Sequence, residues 1–367
     1  MNARITLCML LLLAGFFTLP AQQPAAENLI VITFDGLRWQ ELFGGMDTAI
    51  ARDRKFDQGR APQLLETYWA EKPEDRRRLL LPFFWGEMEK QGRIYGNRTY
   101  GNEVNNANPH WFSYPGYSEL FCGFVDTAIN TNAYPPNPHT NVLAFIHRQP
   151  GFTGKVAAFG AWDAFDRILN EAESGFPVVC GTEPCGGEYP TEREQLINAM
   201  KADAYSPFGD AELLDVFTHY AAMEYLRNQR PRVMYISYGE TDEWAHKGHY
   251  ADYLNAAHST DAWIGELWAW LQADPQYRGK TALIITTDHG RGDADKRTWT
   301  DHGSRTPDSY EMWFAVMGPG CMPGGEIRKP MTVYQKQLAH TLAAWLGLEF
   351  KAEHPVAEGL WKEISGK

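Results

Sequence analysis

The chain has 367 residues, 44% of them hydrophobic and 13% aromatic, enough to bury one large core or two modest ones. Its formal net charge of -12 excludes a broadly basic surface, so a nucleic-acid duplex is not an expected partner, while a locally cationic pocket stays compatible.

The N-terminal stretch MNARITLCMLLLLAGFFTLPAQQPAA sets Arg4 ahead of an apolar run of roughly a dozen residues that ends at Pro20-Ala21. This is the pattern of an export signal over residues 1–21, cleaved somewhere between 21 and 26, and it is too short to span a bilayer. No later segment is apolar enough to span one. The expected mature protein is exported, periplasmic or secreted. Cys122, Cys180, Cys185 and Cys321 then remain. In an oxidising compartment the turn-bearing CGTEPC favours a Cys180–Cys185 disulfide, because no second ligand pair supports a zinc site there.

Five segments read as strands buried on both faces: 28–36 (NLIVITFDG), 154–163, 232–242, 280–290 and 310–320. Helical patterns cover 212–230, 250–274 and 333–348. Strands alternating with helices predict a layered α/β fold with a largely parallel sheet, whose ligands bind beyond the carboxyl ends of the strands. The stretches 45–100 and 174–211, rich in Gly, Pro and charge, read as loops or lids around one domain covering 27–367.

Three of those strands deliver a carboxylate to that edge. Asp35 closes the first, Asp242 begins a D-x-x-x-H pair with His246, and Asp288-His289 closes a third; His302 follows in TDHGS. An i, i+4 spacing puts Asp242 and His246 on one helical face. Taken singly, an Asp at a strand end reads as a helix cap and a lone His as a satisfied polar residue. Taken together, mixed carboxylate and imidazole ligands converging on one edge point to zinc or manganese rather than calcium. Ser113, in FSYPGYSELFCG, reads by itself as an N-cap. Beside two divalent ions it reads as a nucleophile whose hydroxyl is activated by metal, with a helix N-terminus facing the incoming anion. Two such cations outweigh the carboxylates of Asp35, Asp242 and Asp288 by one charge, which a serine alkoxide cancels.

In this order of motifs, from about residue 28 to about residue 320, the chain resembles the alkaline phosphatase superfamily, and within it the nucleotide pyrophosphatase/phosphodiesterase branch and its exported bacterial relatives. The resemblance implies a three-layer α/β/α sandwich. It implies one metal on Asp35, Ser113, Asp288 and His289, and a second on Asp242, His246 and His302, usually two zinc ions with manganese as the alternative. It implies attack by Ser113 on phosphorus, a covalent phosphoserine, and its hydrolysis by water at the second metal. Family members place an Asn after the nucleophile helix against a phosphoryl oxygen; Asn132 is the candidate and Asn130 the second. Tyr114 stands where relatives stack a nucleobase, although core packing is the plainer reading of an aromatic beside Pro-Gly.

The departures narrow the substrate. Ser113 replaces the Thr common in this branch. SYPGY puts Tyr117 where a sulfatase signature needs Arg, and AWDAF puts Asp163 where some monoesterases set basic residues to grip a phosphate dianion. The expected substrate is a small phosphodiester or nucleotide-like compound. A phosphomonoesterase, a phosphoglycerate mutase-like phosphotransferase and a silent metal-binding protein are the alternatives. Lys247, Arg291 and Arg305 read as solvated or structural, His249 as a bystander, and the oligomeric state is not legible.

Overall fold

The computed structural model describes residues 24–366, so the expected export signal lies outside the described residues. Among the described residues no helix is long and apolar enough to cross a membrane. The described residues form eleven strands, in chain order: β1 (Asn28–Phe34), β2 (Gly92–Tyr95), β3 (Asn102–Asn105), β4 (Val156–Gly160), β5 (Val178–Cys180), β6 (Val233–Tyr238), β7 (Thr281–Thr286), β8 (Glu311–Met312), β9 (Phe314–Met317), β10 (Gly325–Glu326) and β11 (Met331–Tyr334).

Eight of them make one sheet in the order β10-β2-β9-β7-β1-β6-β4-β5, and β11-β3-β8 make a small second sheet. In the large sheet β1 lies parallel to both β6 and β7, and β4 is parallel to β6 and β5. Only the β9 pairings with β7 and β2 are antiparallel there. Side chains alternate across the pleat. Ile30, Ile32, Met234, Ile236, Leu283 and Ile285 enter one core; Leu29, Val31, Val233, Tyr235, Ala282 and Ile284 enter the other. Strands that must be apolar on both faces read as unbroken apolar runs, which is why the sequence shows them. The helices Asp215–Gln229 and Tyr250–Ala273 cover the first face, and Ser113–Cys122 and Gln337–Trp345 the second. The result is the expected three-layer α/β/α sandwich with a largely parallel sheet.

Several expectations are corrected. Residues 45–100 are not open loop. They hold the helices Ala61–Tyr68 and Pro73–Leu80 and the sheet strand β2. Each helix carries proline at its first or second position, where the missing N–H costs nothing, so a residue that reads as a breaker marks a start. Residues 174–211 hold β5 and the helix Glu192–Asp203, opened by a Thr191/Glu194 capping box. The run 310–320 divides between two sheets as β8 and β9, and the start of 333–348 belongs to β11, which pairs with β3.

The expected Cys180–Cys185 disulfide is absent: both thiols are free, as are Cys122 and Cys321. Cys180 joins one core and Cys185 the other. Their sulfurs serve different acceptors, Asp163 O at 3.2 Å and Asn198 Oδ1 at 3.2 Å.

Candidate active site

The carboxyl ends of β1, β6 and β7, side by side at the centre of the sheet, converge on one edge. Asp35 follows β1 directly. Gly36 comes next at φ +58, and a Cβ there would stand 2.6 Å from Asp242 Oδ1 and 2.8 Å from Arg291 Nη1, so only glycine fits the turn. Its N–H donates to Asp288 Oδ1 at 3.1 Å. Beyond β6 the helix Glu240–His246 brings Asp242 and His246 onto one face. That helix and Asp215–Gln229 cap each other. Asp215 accepts the Gly239 and Glu240 N–H groups at 2.7 and 3.1 Å, and Glu240 accepts the Asp215 N–H at 2.8 Å. Such capping satisfies otherwise orphaned helix donors.

The helix Ser113–Cys122 presses its N-terminal turn against the end of β7. A Cβ on Gly116 would meet Asp288 O at 2.5 Å, which explains glycine in the SYPG stretch. The cap position falls on Phe112, with no side-chain cap, and Ser113 is the first helical residue. The N-cap reading of Ser113 therefore does not hold. Its Oγ lies 3.4 Å from His289 Nε2.

His289 is the hub. It is fully buried, and its Nε2 stands 3.4 Å from Asp35 Oδ1, 3.5 Å from Asp288 Oδ2 and 3.8 Å from Asp242 Oδ1. Its other nitrogen, Nδ1, faces Gly290 O at 2.9 Å. His246 Nε2 is 3.0 Å from Asp242 Oδ2 and 2.9 Å from His302 Nε2, and His302 Nε2 is 3.7 Å from Asp242 Oδ1. All seven expected ligands thus meet at one edge. Ligand atoms of Asp35, Asp288 and His289 fall within 4.8 Å of one another, as do those of Asp242, His289 and His302. The second set gathers around His289 where the resemblance placed His246, whose side chain is 39% exposed.

Burial drives the electrostatics. It pushes Asp288 well above the ordinary carboxylate range and raises Asp35, each reinforced by neighbouring carboxylates. Burial pushes Asp242 the same way, but His246, Arg291 and His302 outweigh it and hold Asp242 well below that range. Burial works against a charged His289, yet Asp288 and Asp35 bring it up to about 9. His302 is driven well below the usual imidazole range by burial and then by His289.

A divalent ion fits the first set. Asp35 Oδ1 and Asp288 Oδ2 are buried acceptors without a hydrogen-bond partner, and the Nδ1 contact of His289 turns Nε2 to their side as the nitrogen that would bind an ion once its proton is displaced. A cation there answers two stranded acceptors and a raised carboxylate pair together.

Asn132 is exposed, and its Oδ1 accepts the Tyr114 N–H at 3.0 Å, one residue past Ser113. It, rather than Asn130, reaches the nucleophile helix. Tyr114 is corrected: its side chain is fully buried, and its hydroxyl donates to Pro135 O at 2.8 Å, so no ring face is offered for stacking. His249 lies flat on Trp244 and pairs with Asp252. Lys247 and Arg305 are exposed.

Sequence reasoning missed Tyr117 and Asn106. Tyr117 donates to Asp35 Oδ2 at 2.9 Å. It sits four residues after Ser113, on the same helical face, and that spacing was a usable signal. Asn106 Nδ2 donates to Asp288 O at 2.9 Å from a distant strand end, and no local pattern announces it.

A family model described as type I phosphodiesterase / nucleotide pyrophosphatase matches residues 46–346, well over half of the chain. No curated protein matches. Among solved structures, a putative sulfatase from Bacteroides thetaiotaomicron is similar at TM-score 0.63 and 15% identity, over 94% of this chain and 75% of that one. Phosphonate monoester hydrolase of Agrobacterium radiobacter is similar at 0.59 and 15%, over 94% and 77%. A protein in the alkaline phosphatase superfamily from Vibrio parahaemolyticus is similar at 0.53 and 11%, over 90% and 69%. At these identities the likeness is one of fold.

Proposed function

The chain belongs to the type I phosphodiesterase/nucleotide pyrophosphatase family and is a hydrolase of the alkaline phosphatase superfamily, and from that premise we propose that it cleaves phosphodiester or pyrophosphate bonds through Ser113. The observation that carries this reading is Ser113 at the first position of a helix, uncapped, with Oγ 3.4 Å from His289 Nε2 and beside two unpartnered carboxylate oxygens. A divalent ion on Asp35, Asp288 and His289, with zinc favoured over manganese, would supply the charge that lowers the Ser113 hydroxyl pKa and offsets charge on the phosphoryl group.

The chain's own residues supply the rest. Ser113 Oγ attacks phosphorus, a P–O bond forms to serine, the P–O bond to the leaving group breaks, and the alcohol of a diester or the phosphate of a pyrophosphate departs with the proton that serine gives up. The helix N-terminus faces the anion, and the side-chain amide of Asn132 donates to a non-bridging oxygen. Water then cleaves the phosphoserine and restores the hydroxyl. The end of β4 carries Trp162 and Asp163, and Arg167 is turned to the carbonyl of Tyr134 at 2.7 Å. No basic pair grips a dianion at that strand end, which favours a singly charged diester. Export, and residues 27–367 as one catalytic unit, belong to the same reading and rest on the sequence pattern.

The test compares the bis-para-nitrophenyl ester of phosphate with its monoester and a sulfate ester, for the wild type and Ser113→Ala in zinc. The diester is expected to turn over fastest and only with Ser113 present. A faster monoester or sulfate ester overturns the reading.

A further inference from the structure

A buried arginine stands inside the ligand set on the β6 side. Arg291 is 1% exposed. Its Nε donates to Trp299 O at 2.8 Å, Nη1 donates to Asp242 Oδ1, and Nη2 donates to Thr300 O while facing His246 Nδ1 at 3.3 Å.

A guanidinium has donors only, so His246 Nδ1 has to be the acceptor. The proton of a neutral ring then sits on Nε2, the nitrogen 3.0 Å from Asp242 Oδ2 and 2.9 Å from His302 Nε2. A ligating nitrogen has to be the bare one, with the other ring N–H donated to an acceptor. His289 has that arrangement, with Nδ1 on Gly290 O; His246 has its reverse. The carboxylates repeat the contrast. Asp35 and Asp288 each keep an unpartnered oxygen, while one Asp242 oxygen takes Arg291 and the other faces His246.

We infer that Arg291 makes the two sets unequal: its guanidinium stands in for a second cation at Asp242, so the protein holds one divalent ion tightly at Asp35, Asp288 and His289 and a second only weakly at Asp242, His246 and His302. This rests on the metal-assisted reading above and narrows it. Tight binding of a second ion requires Arg291 to leave Asp242 and the His246 proton to leave Nε2, and both changes oppose it.

The test titrates metal-free, full-length protein with cobalt(II), followed by calorimetry and by visible absorption, without substrate. One tight ion per chain is expected, with a second weaker by about 100-fold. Arg291→Gln should tighten the second ion by about 10-fold or more and leave the first unchanged; Arg291→Lys, keeping the charge, should leave the second weak. Two ions of equal affinity in the wild type overturn the inference, as does looser second-ion binding in Arg291→Gln. If that variant does not fold, the wild-type stoichiometry decides alone. Ser113-dependent diester hydrolysis on the same preparation separates the two ideas. Two equal ions with normal hydrolysis overturn only the unequal sites, whereas no bound ion and no hydrolysis overturn both.

Discussion

The two halves of the active edge use the same residue types and reach opposite electrostatic states. On the β1 and β7 side, Asp35, Asp288 and His289 are almost completely buried, and two carboxylate oxygens have no partner. On the β6 side, Asp242 is held by Arg291 and His246, and His246 opens to solvent. The first half is incomplete without a cation; the second carries one in its own sequence. Donor type alone would therefore not settle where a metal binds. What settles it is whether the surrounding chain already neutralises the carboxylates.

The largest break in this comparison comes from Ser113→Ala, which removes the attacking oxygen from the first half only. Diester turnover should fall on the order of 10⁴-fold or more. The denaturation midpoint should hardly move, since Ser113 makes no cap. A stable variant with near-normal turnover would shift attack to a water and dissolve the nucleophile assignment.

Stability against pH comes next. His289 stands at about 9 in the folded chain against about 6.5 unfolded. The folded state thus holds the extra proton, and its stabilisation is full below pH 6.5 and lost as pH rises through 9. Asp35 and Asp288, also raised, act in the same direction, whereas lowered Asp242 matters only at the acid end. Metal-free protein should lose up to about 3 kcal/mol between pH 6.5 and 9. Saturating zinc should flatten that slope, because the ion displaces the proton from Nε2. Urea midpoints across pH, with zinc and with chelator, check both; a flat metal-free profile contradicts the geometry.

Asp288→Asn sharpens the contrast from the other direction. Without metal it relieves carboxylate repulsion once His289 is neutral, and above pH 9 the variant should be more stable than chelated wild type by roughly 1–3 kcal/mol. Asp242→Asn should destabilise, because it strands the Arg291 guanidinium. Thermal unfolding of both variants in chelator reads the two signs, and equal signs would erase the distinction between the halves.

Tyr117→Phe should cost about 1 kcal/mol of stability, through the lost hydrogen bond to Asp35. It frees Asp35 Oδ2, and cobalt affinity of the first site should fall about 10-fold. Unchanged affinity would reduce Tyr117 to core packing.

Much of the fold was legible because the central strands are buried on both faces, and Ile30, Ile32 and their neighbours have to be apolar whatever surrounds them. The candidate ligands Asp35, Asp242, Asp288 and His289 were legible because they follow such strands in short motifs, with His246 one helical turn beyond Asp242; Ser113 at a helix start and His302 in a loop were marked only by the order of motifs. Pro62 and Pro73 misled, since the same residue breaks a helix or begins one according to its register. Cys180 and Cys185 misled because five positions of separation say nothing about which core each thiol enters.

By itself the sequence determined the layered class, the central strands and the candidates Asp35, Ser113, Asp242, His246, Asp288, His289 and His302, because unbroken apolar runs and short motifs are local properties of the chain. The tertiary structure alone decided what those residues face. Only when β1, β6 and β7 lie side by side does Arg291 reach Asp242 and His246, across 49 and 45 residues of chain. The same packing brings Tyr117 to Asp35 and leaves Asp288 with an oxygen that no protein group satisfies. Proximity between distant positions sets charge state and tautomer, and no local pattern encodes it.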